Sequence, residues 1–300
     1  MFRKSLLLYI SLVSAIPLAA AWDTPPSGAK LSPADIVDKN VAARGGLQAW
    51  RAVQTMQLTG KLGAGGNQRA TLSMPIPGGG PLKGSLKEVV TPRPVAEVQL
   101  PFVMELKRPR KMRFELQFNG QTAIQVFDGA NGWKLRPFLN RREVEPYTTD
   151  ELKMASMQAD LDGPLIDYAA KGTQVELAGM EKVEDRNTYK LKLTLKNGNA
   201  IHVWIDAQTF LEAKIEGQPR RLDGTDHPVE LYFRDYRPVG GLQIPFILET
   251  RVLPVARTVL GVKDPPVPTE TITIDKVVVN PKLDESLFSK LGIGVASHGN

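Results

Sequence analysis

Histidine is the first residue type to consider for catalysis, and this chain has only three: His202, His227 and His298. A catalytic histidine needs an orienting partner and a substrate proton within reach. His202 alternates with Ile201 and Val203, which is typical of the wet face of a strand or the wall of a cavity. Three scattered histidines match no familiar spacing of zinc ligands, so we expect no metal site of this kind.

Carboxylates are the second candidate for chemistry. The run ADLDG begins like a calcium loop at Asp160, but the twelfth position is Lys171, where a bidentate glutamate is needed. A glycosidase-like carboxylate pair stays open, because its members come from separate strands. Asp128, Asp206 and Asp235 all lie at predicted strand ends or turns, where aspartate is common for local reasons.

The remaining reactive patterns are absent from the sequence. The run GAGG lacks the third glycine of a dinucleotide loop, and no serine stands in a Gly-x-Ser-x-Gly elbow. The chain has no cysteine, and so no disulfide, thiol nucleophile or thiolate metal site. We therefore expect no catalytic residues, no metal and no cofactor.

The net charge of the chain and its distribution limit the kinds of partner that it can bind. The formal net charge is +6, and cationic residues alternate with carboxylates instead of forming a stripe with interleaved aromatics. We therefore expect no nucleic acid partner, while a weak attraction to anionic membrane surfaces stays open.

The first 21 residues have the three parts of a secretory signal peptide. MFRKS is positively charged, LLLYISLVSAIPL is apolar, and AAA offers small residues for cleavage near Ala21. The alternative is an uncleaved anchor, but the apolar run is short of the ~20 residues that a spanning helix needs. The sequence predicts a cleaved signal and an exported protein.

Local patterns predict helices at three places. After a flexible leader (22–31), Ser32 caps a helix over 33–43 that Gly45 and Gly46 end, and LQAWRAV adds a turn. A second helix is predicted over 148–163, and a short terminal turn or helix over 281–291.

Alternating residues predict the strands. In KMRFELQF (111–118) and TYKLKLTL (188–195), apolar residues alternate with polar ones, so each strand has a dry and a wet face. Turn signals between such runs are typical of an antiparallel meander or barrel. We expect one domain over 32–292, with a Gly/Pro-rich insertion at 63–96 and a disordered tail at 293–300.

A large curved sheet must close or have its apolar face covered. The predicted helices are too few and too short to cover a broad concave face. An incompletely filled apolar concavity is a ligand pocket, and this favours binding over catalysis.

Several segments carry a resemblance to a known family. Among them are ADIVDKNVAARGGLQAWRAVQTMQLTGKL, IQVFDGANGWKLRPF and ETITIDKVVVNPKLDESLF, and the likeness covers most of residues 34–290. The chain resembles the LolA-like outer-membrane lipoprotein-sorting proteins. The resemblance implies a mainly β fold: an unclosed antiparallel β-barrel whose helices form a lid over an apolar cavity. It also implies a periplasmic carrier of acyl chains of lipoproteins or other lipids, with an inner-membrane donor and an outer-membrane acceptor.

The expected cavity residues are those of the predicted dry faces, with three more near the rim. We expect the lid to include the helix at 33–43, the Gly-Gly pair as a hinge, and Trp50. An envelope sensor or scaffold that binds a protein partner without transport is the alternative function, and an enzyme with carboxylates from separate strands is a third. The predicted lipid-binding residues are Trp50, Met112, Phe114, Leu116, Phe118, Ile124, Trp133, Tyr189, Leu191 and Leu193.

Overall fold

The computed structural model describes residues 31–65, 97–222, 224–255 and 267–294. The predicted signal segment, most of the leader and nearly all of the 63–96 segment lie outside these residues. The described residues from Ser32 onward belong to one compact unit. Within the described ranges, no helix is long and apolar enough to cross a bilayer.

Three α-helices are described: α1 (Pro33–Ala43), α2 (Leu47–Ala52) and α3 (Thr149–Gln158). The predicted cap of α1 is present, since the Ser32 hydroxyl accepts from the Asp35 N–H while the Asp35 carboxylate accepts from the Ser32 N–H. Helix α3 ends at Gln158 and not at 163 as predicted, and turns follow it. Met157 of α3 is 40% exposed.

The described strands are fifteen in number, and three short 3-10 helices lie at Pro137–Leu139, Glu285–Phe288 and Leu291–Gly294. The strands are β1 (Thr55–Gly65), β2 (Glu97–Lys107), β3 (Lys111–Phe118), β4 (Gln121–Phe127), β5 (Gly132–Arg136), β6 (Arg141–Pro146), β7 (Gln174–Val183), β8 (Arg186–Thr194), β9 (Ala200–Asp206), β10 (Glu212–Glu216), β11 (Arg220–Leu222), β12 (Thr225–His227), β13 (Val229–Val239), β14 (Leu242–Val252) and β15 (Glu270–Val279).

Thirteen of these strands form one antiparallel sheet in the order β6-β5-β4-β3-β2-β1-β15-β14-β13-β10-β9-β8-β7. Pairing of β1 with β15 joins the start and the end of the chain in the middle of the sheet. Strands β6 and β7 are the two edges and do not pair with each other, so the curved sheet is not closed into a barrel. The predicted fold class, a mainly β unclosed antiparallel barrel with helices, is confirmed.

Register decides which side chains share the inner face of the sheet. Leu58 is opposite Met104 of β2 and Val277 of β15, and Met104 is opposite Phe114 of β3. Apolar residues continue across the neighbouring strands, so the inner face is mostly apolar from β3 to β14, while β4 places Gln125 opposite Phe114. Its buried members form the main core together with Trp50 of α2 and Ala155 of α3.

The middle of the outer face of β3 is buried and not wet as predicted, whereas Gln117 near its end is exposed. Arg113 is fully buried and Glu115 is nearly so, because the C-terminal segment 284–294 covers them. The Arg113 guanidinium donates to the carbonyl oxygens of Leu287 (3.2 Å) and Gly292 (2.8 Å). Ile293, which the sequence assigned to a disordered tail, is buried in the same layer.

Candidate functional site

The inner face of the sheet brings together five of the ten predicted lipid-binding residues. Trp50, Met112 and Leu116 are buried in the main core, and Phe114 and Phe118 are half-buried and pack against it. Met112, Phe114, Leu116 and Phe118 are every second residue of β3. Because side chains alternate between the two faces of a strand, these four lie on the same face. The alternation rule therefore predicted the face of these four side chains, and their role in lipid binding stays a prediction.

Two predicted residues, Ile124 and Trp133, lie on the opposite face. Glu115, which points away from the inner face, is opposite Ile124 in the β3–β4 ladder. Val126 of the same outward set is opposite Trp133 in β5. Ile124 packs with Val126 and Ile293, and Trp133 packs against that group. Ile124 and Trp133 thus belong to the layer under the C-terminal segment and not to the concave face.

The three residues predicted on β8 lie at a different part of the sheet. Leu191 and Leu193 are fully buried, and the described main core does not include them. Tyr189 is half-buried and its ring stacks on Phe210 with centroids 6.1 Å apart. Asn40 of α1 donates to the Phe210 carbonyl oxygen, so the first helix is tied to the adjoining β9–β10 turn.

Helices α1 and α2 form a cover over one end of the inner face, which we call the closed end and which includes Trp50, Met112 and Leu116. The cover is held at Arg44, which caps α1. Its guanidinium pairs with Glu212 at 3.1 Å and lies 4.3 Å from the Trp50 ring. The Trp50 indole N–H donates to the Arg44 carbonyl oxygen. Gly45 packs against the Gly241 backbone so closely that an added Cβ would lie 2.3 Å from its oxygen. Gly45 is therefore a tight packing point, whereas a Cβ at Gly46 would have no neighbour within 4 Å.

A buried ionic cluster lies beside this cover. Lys171 donates to Asp160, to Asp162 at 2.5 Å and to the Gly163 carbonyl oxygen, and Arg108 donates to Asp162 at 2.6 Å. Burial raises the pKa of Asp160. Burial alone would also raise the pKa of Asp162, but hydrogen bonds with Asp160, Lys171 and Arg108 hold it below its ordinary value. The cluster ties the chain after α3 to the β2–β3 turn, and its contacts are internal to the fold.

The carboxylates considered for catalysis have local roles. Asp128 accepts from the backbone N–H groups of Ala130 and Asn131, and Asp206 accepts from those of two following residues. Asp235 pairs with Arg237 at 2.5 Å. In the part of the chain that the structure describes, no three metal-ligating side chains come together.

The other end of the inner face is less covered. We call it the open end and define it by five half-buried residues: Leu62, Phe118, Phe138, Leu248 and Ile272. Leu62 is opposite Ile272, and Ile272 is opposite Leu248, so three neighbouring strands contribute to it. The Phe138 ring meets the Phe118 ring edge-on with centroids 5.8 Å apart.

Sequence reasoning missed four of these open-end residues: Leu62, Phe138, Leu248 and Ile272. Leu248 and Ile272 stand in the alternating runs LQIPFILET and ETITID, which was a usable signal. Phe138 lies in a 3-10 turn, where periodicity gives no face. The described residues of the open end are half-buried, as are Leu58, Met104 and Phe114 nearer the middle of the face.

No protein-family model and no curated protein sequence matches the chain. Solved structures do. A LolA superfamily protein from Nitrosomonas europaea matches 87% of this chain and 99% of its own, with 11% identity and a TM-score of 0.50. A DUF1329 family protein from Desulfovibrio piger matches 88% of this chain and 99% of its own, with 13% identity and a TM-score of 0.50.

A third structure, an outer membrane lipoprotein-sorting protein domain from Vibrio parahaemolyticus, matches 85% of this chain and 95% of its own, with 10% identity and a TM-score of 0.47. It superposes less well than the first two. The first two matches show that this chain has the LolA-like fold, so the resemblance seen in the sequence is confirmed at the level of the fold.

Proposed function

We propose that this protein is an exported, periplasmic lipid-binding carrier that shelters acyl chains on the concave face of its open sheet. One observation carries the proposal: the inner face is apolar over many neighbouring strands, and its open end leaves Leu62, Phe118, Phe138, Leu248 and Ile272 only half-buried. Burial of apolar surface is the main driving force for binding an alkyl chain. The signal-like N-terminus and the LolA-like fold support the assignment.

The physical need for such a carrier is large. Exposing an acyl chain of about sixteen carbons to water costs on the order of 12 kcal/mol, at ~0.8 kcal/mol per methylene. A lipid or lipoprotein therefore needs a protein shelter to cross an aqueous compartment. Transfer between two apolar sites is nearly neutral, so the donor and the acceptor in the two membranes can set the direction.

The closed end is already filled by its own side chains. Trp50, Met112 and Leu116 are nearly inaccessible there. A whole acyl chain needs more room than the open end exposes, so loading requires that part of the helical cover moves. A roofed void in the loaded protein stays a prediction.

Two adjacent residues of β14 give a matched test. Leu248 lies on the inner face, and Ile247 lies on the outer face of the same strand; both are half-buried. We expect Leu248→Asn to weaken binding of a fluorescent fatty acid by about ten-fold, since a buried leucine contributes roughly 1.5–3 kcal/mol. Ile247→Asn should leave the affinity unchanged while lowering stability to a similar degree.

Equilibrium titration of delipidated protein measures both affinities, and mass spectrometry of protein gently extracted from the periplasm identifies a co-purifying acyl species. Equal affinities of the two variants would show that the inner face is not the binding surface. Absence of any fatty-acid binding by the unmodified protein would remove the carrier proposal.

A further inference from the structure

Strands β2 and β3 separate near the open end. Their ladder runs from Lys107 opposite Lys111 to Phe102 opposite Leu116, although β2 begins at Glu97 and β3 continues to Phe118. Beyond that point β2 is still paired with β1, and β3 with β4. Pro101 stands where the ladder stops, and proline has no N–H to donate to a neighbouring strand.

The separated strands enclose a recess of about 490 Å³ between the start of β2 and the β3–β4 turn. Two of its lining residues, Leu100 and Phe118, also belong to or pack against the apolar inner face. The recess is therefore continuous with the surface on which we place the acyl chain.

Among the described residues that line the recess, the polar side chains are four amides and one hydroxyl, and none of them is charged. Amides donate and accept hydrogen bonds, and a hydroxyl does both. An anionic headgroup would find no cation in this lining, whereas sugar hydroxyls or peptide amides would find both donors and acceptors. The polar side chains are Gln99, Gln117, Asn119, Gln121 and Thr122.

We infer that this recess binds the headgroup of the lipid, and that the headgroup is uncharged and rich in hydrogen-bonding groups. The inference rests on the proposed acyl-binding function and narrows its ligand class. The acyl chain lies along Leu100 and Phe118, and the headgroup lies between β2 and the β3–β4 turn. Glycosyl diacylglycerols and acylated peptides share this chemistry.

The test compares ligands with the same two acyl chains: diacylglycerol, monogalactosyl diacylglycerol, phosphatidylglycerol and a synthetic diacylated peptide of uncharged residues. Unmodified full-length protein should bind the galactolipid, the lipopeptide or both at least about ten-fold more tightly than diacylglycerol, since each new hydrogen bond adds about 1 kcal/mol. Phosphatidylglycerol should bind no more tightly than diacylglycerol. Whichever of the galactolipid and the lipopeptide gains more affinity over diacylglycerol indicates whether the headgroup is a sugar or a peptide.

The double variant Gln117→Ala, Gln121→Ala should lose that gain and keep its affinity for diacylglycerol. A matched double variant at the exposed positions Gln174 and Gln208 should keep both. Phosphatidylglycerol binding as tightly as the galactolipid or the lipopeptide, or a headgroup gain that survives in the first variant, would overturn the inference. If diacylglycerol itself does not bind, the acyl-binding proposal fails instead.

Discussion

Arg113 is a charged side chain with no exposed surface, and its surroundings explain how it is tolerated. Its guanidinium pairs with Glu115 at 2.6 Å, lies 3.9 Å from Glu105, and donates to two carbonyl oxygens of the C-terminal segment. A buried guanidinium needs such partners because removing it from water is costly. The residue thereby ties the end of the chain to the back of the strands that carry the inner face.

Arg113→Met should lower the free energy of unfolding by about 3–5 kcal/mol, because it removes the buried guanidinium that faces the buried carboxylates of Glu115 and Glu105. Urea unfolding measures the loss. The double variant Arg113→Met, Glu115→Met should be more stable than the single one, since it removes one of the stranded carboxylates. If Arg113→Met is as stable as the unmodified protein, the contacts of the Arg113 guanidinium contribute nothing to the stability of the fold.

The stability that the ion pairs of Glu184 contribute should depend on pH. Its carboxylate accepts from Arg234 and from Arg251, and the hydrogen bonds from Arg234 are the largest cause that lowers its pKa from 4.5 to about 2. Because the pKa is lowered in the folded state, this contribution to stability is present above pH 4.5 and is lost as the pH falls toward 2.

Carboxyl carbon NMR should therefore show Glu184 titrating near pH 2 in the unmodified protein. Arg234→Gln should raise that midpoint toward 4.5, with part of the shift kept by Arg251. Arg237→Gln, which removes a cation paired with Asp235 instead, should leave it unchanged. An unaltered midpoint in Arg234→Gln would contradict the assigned cause.

Among the elements, the turn between α1 and α2 decides how the helical cover sits on the sheet. Gly45 and Gly46 both have positive φ (112° and 91°), but only Gly45 touches the β13–β14 turn. Gly46→Ala should cost about 1 kcal/mol from backbone strain alone. Gly45→Ala should cost clearly more, because its new methyl group would overlap the Gly241 oxygen.

Both substitutions add the same methyl group at adjacent positions with positive φ. The difference between their free energies of unfolding, measured with a denaturant, therefore reports the contribution of packing against Gly241. Equal losses of stability would mean that the cover is not packed tightly against Gly241.

Elements with local signals could be predicted from the sequence, and those set by distant partners could not. The bounds of α1 and β3 matched because a capping serine and strict alternation act within a few residues. In β4, QTAIQVF, residues on both faces are buried, so alternation could not assign Ile124 to a face without its partner strand. Likewise α3 ends early where Asp160 and Asp162 meet Lys171, eleven and nine residues away in sequence.

At the scale of the whole molecule, the space between the sheet and its cover is already filled by side chains. The same residues that fill the closed end, Trp50 of α2 and Ala155 of α3 among them, occupy the place that a long acyl chain would take. Protein interiors are densely packed, so a chain cannot enter without moving something. The cover includes Trp50, which is buried in the main core. If residues 33–50 moved away from the sheet, the inner-face surface beneath Trp50 would be uncovered.

We therefore expect loading with a long acyl chain to reduce the hydrogen-exchange protection of residues 33–50, whereas a six-carbon fatty acid, short enough for the open end, should not. Release reverses the change, because α2 packing back onto the inner face competes with the bound chain. Exchange mass spectrometry of both forms measures this, with the paired strands β8 and β9 as an internal reference. Unchanged protection at 33–50 in a fully loaded protein would mean that the chain lies on the open end alone and that the helices are a fixed wall.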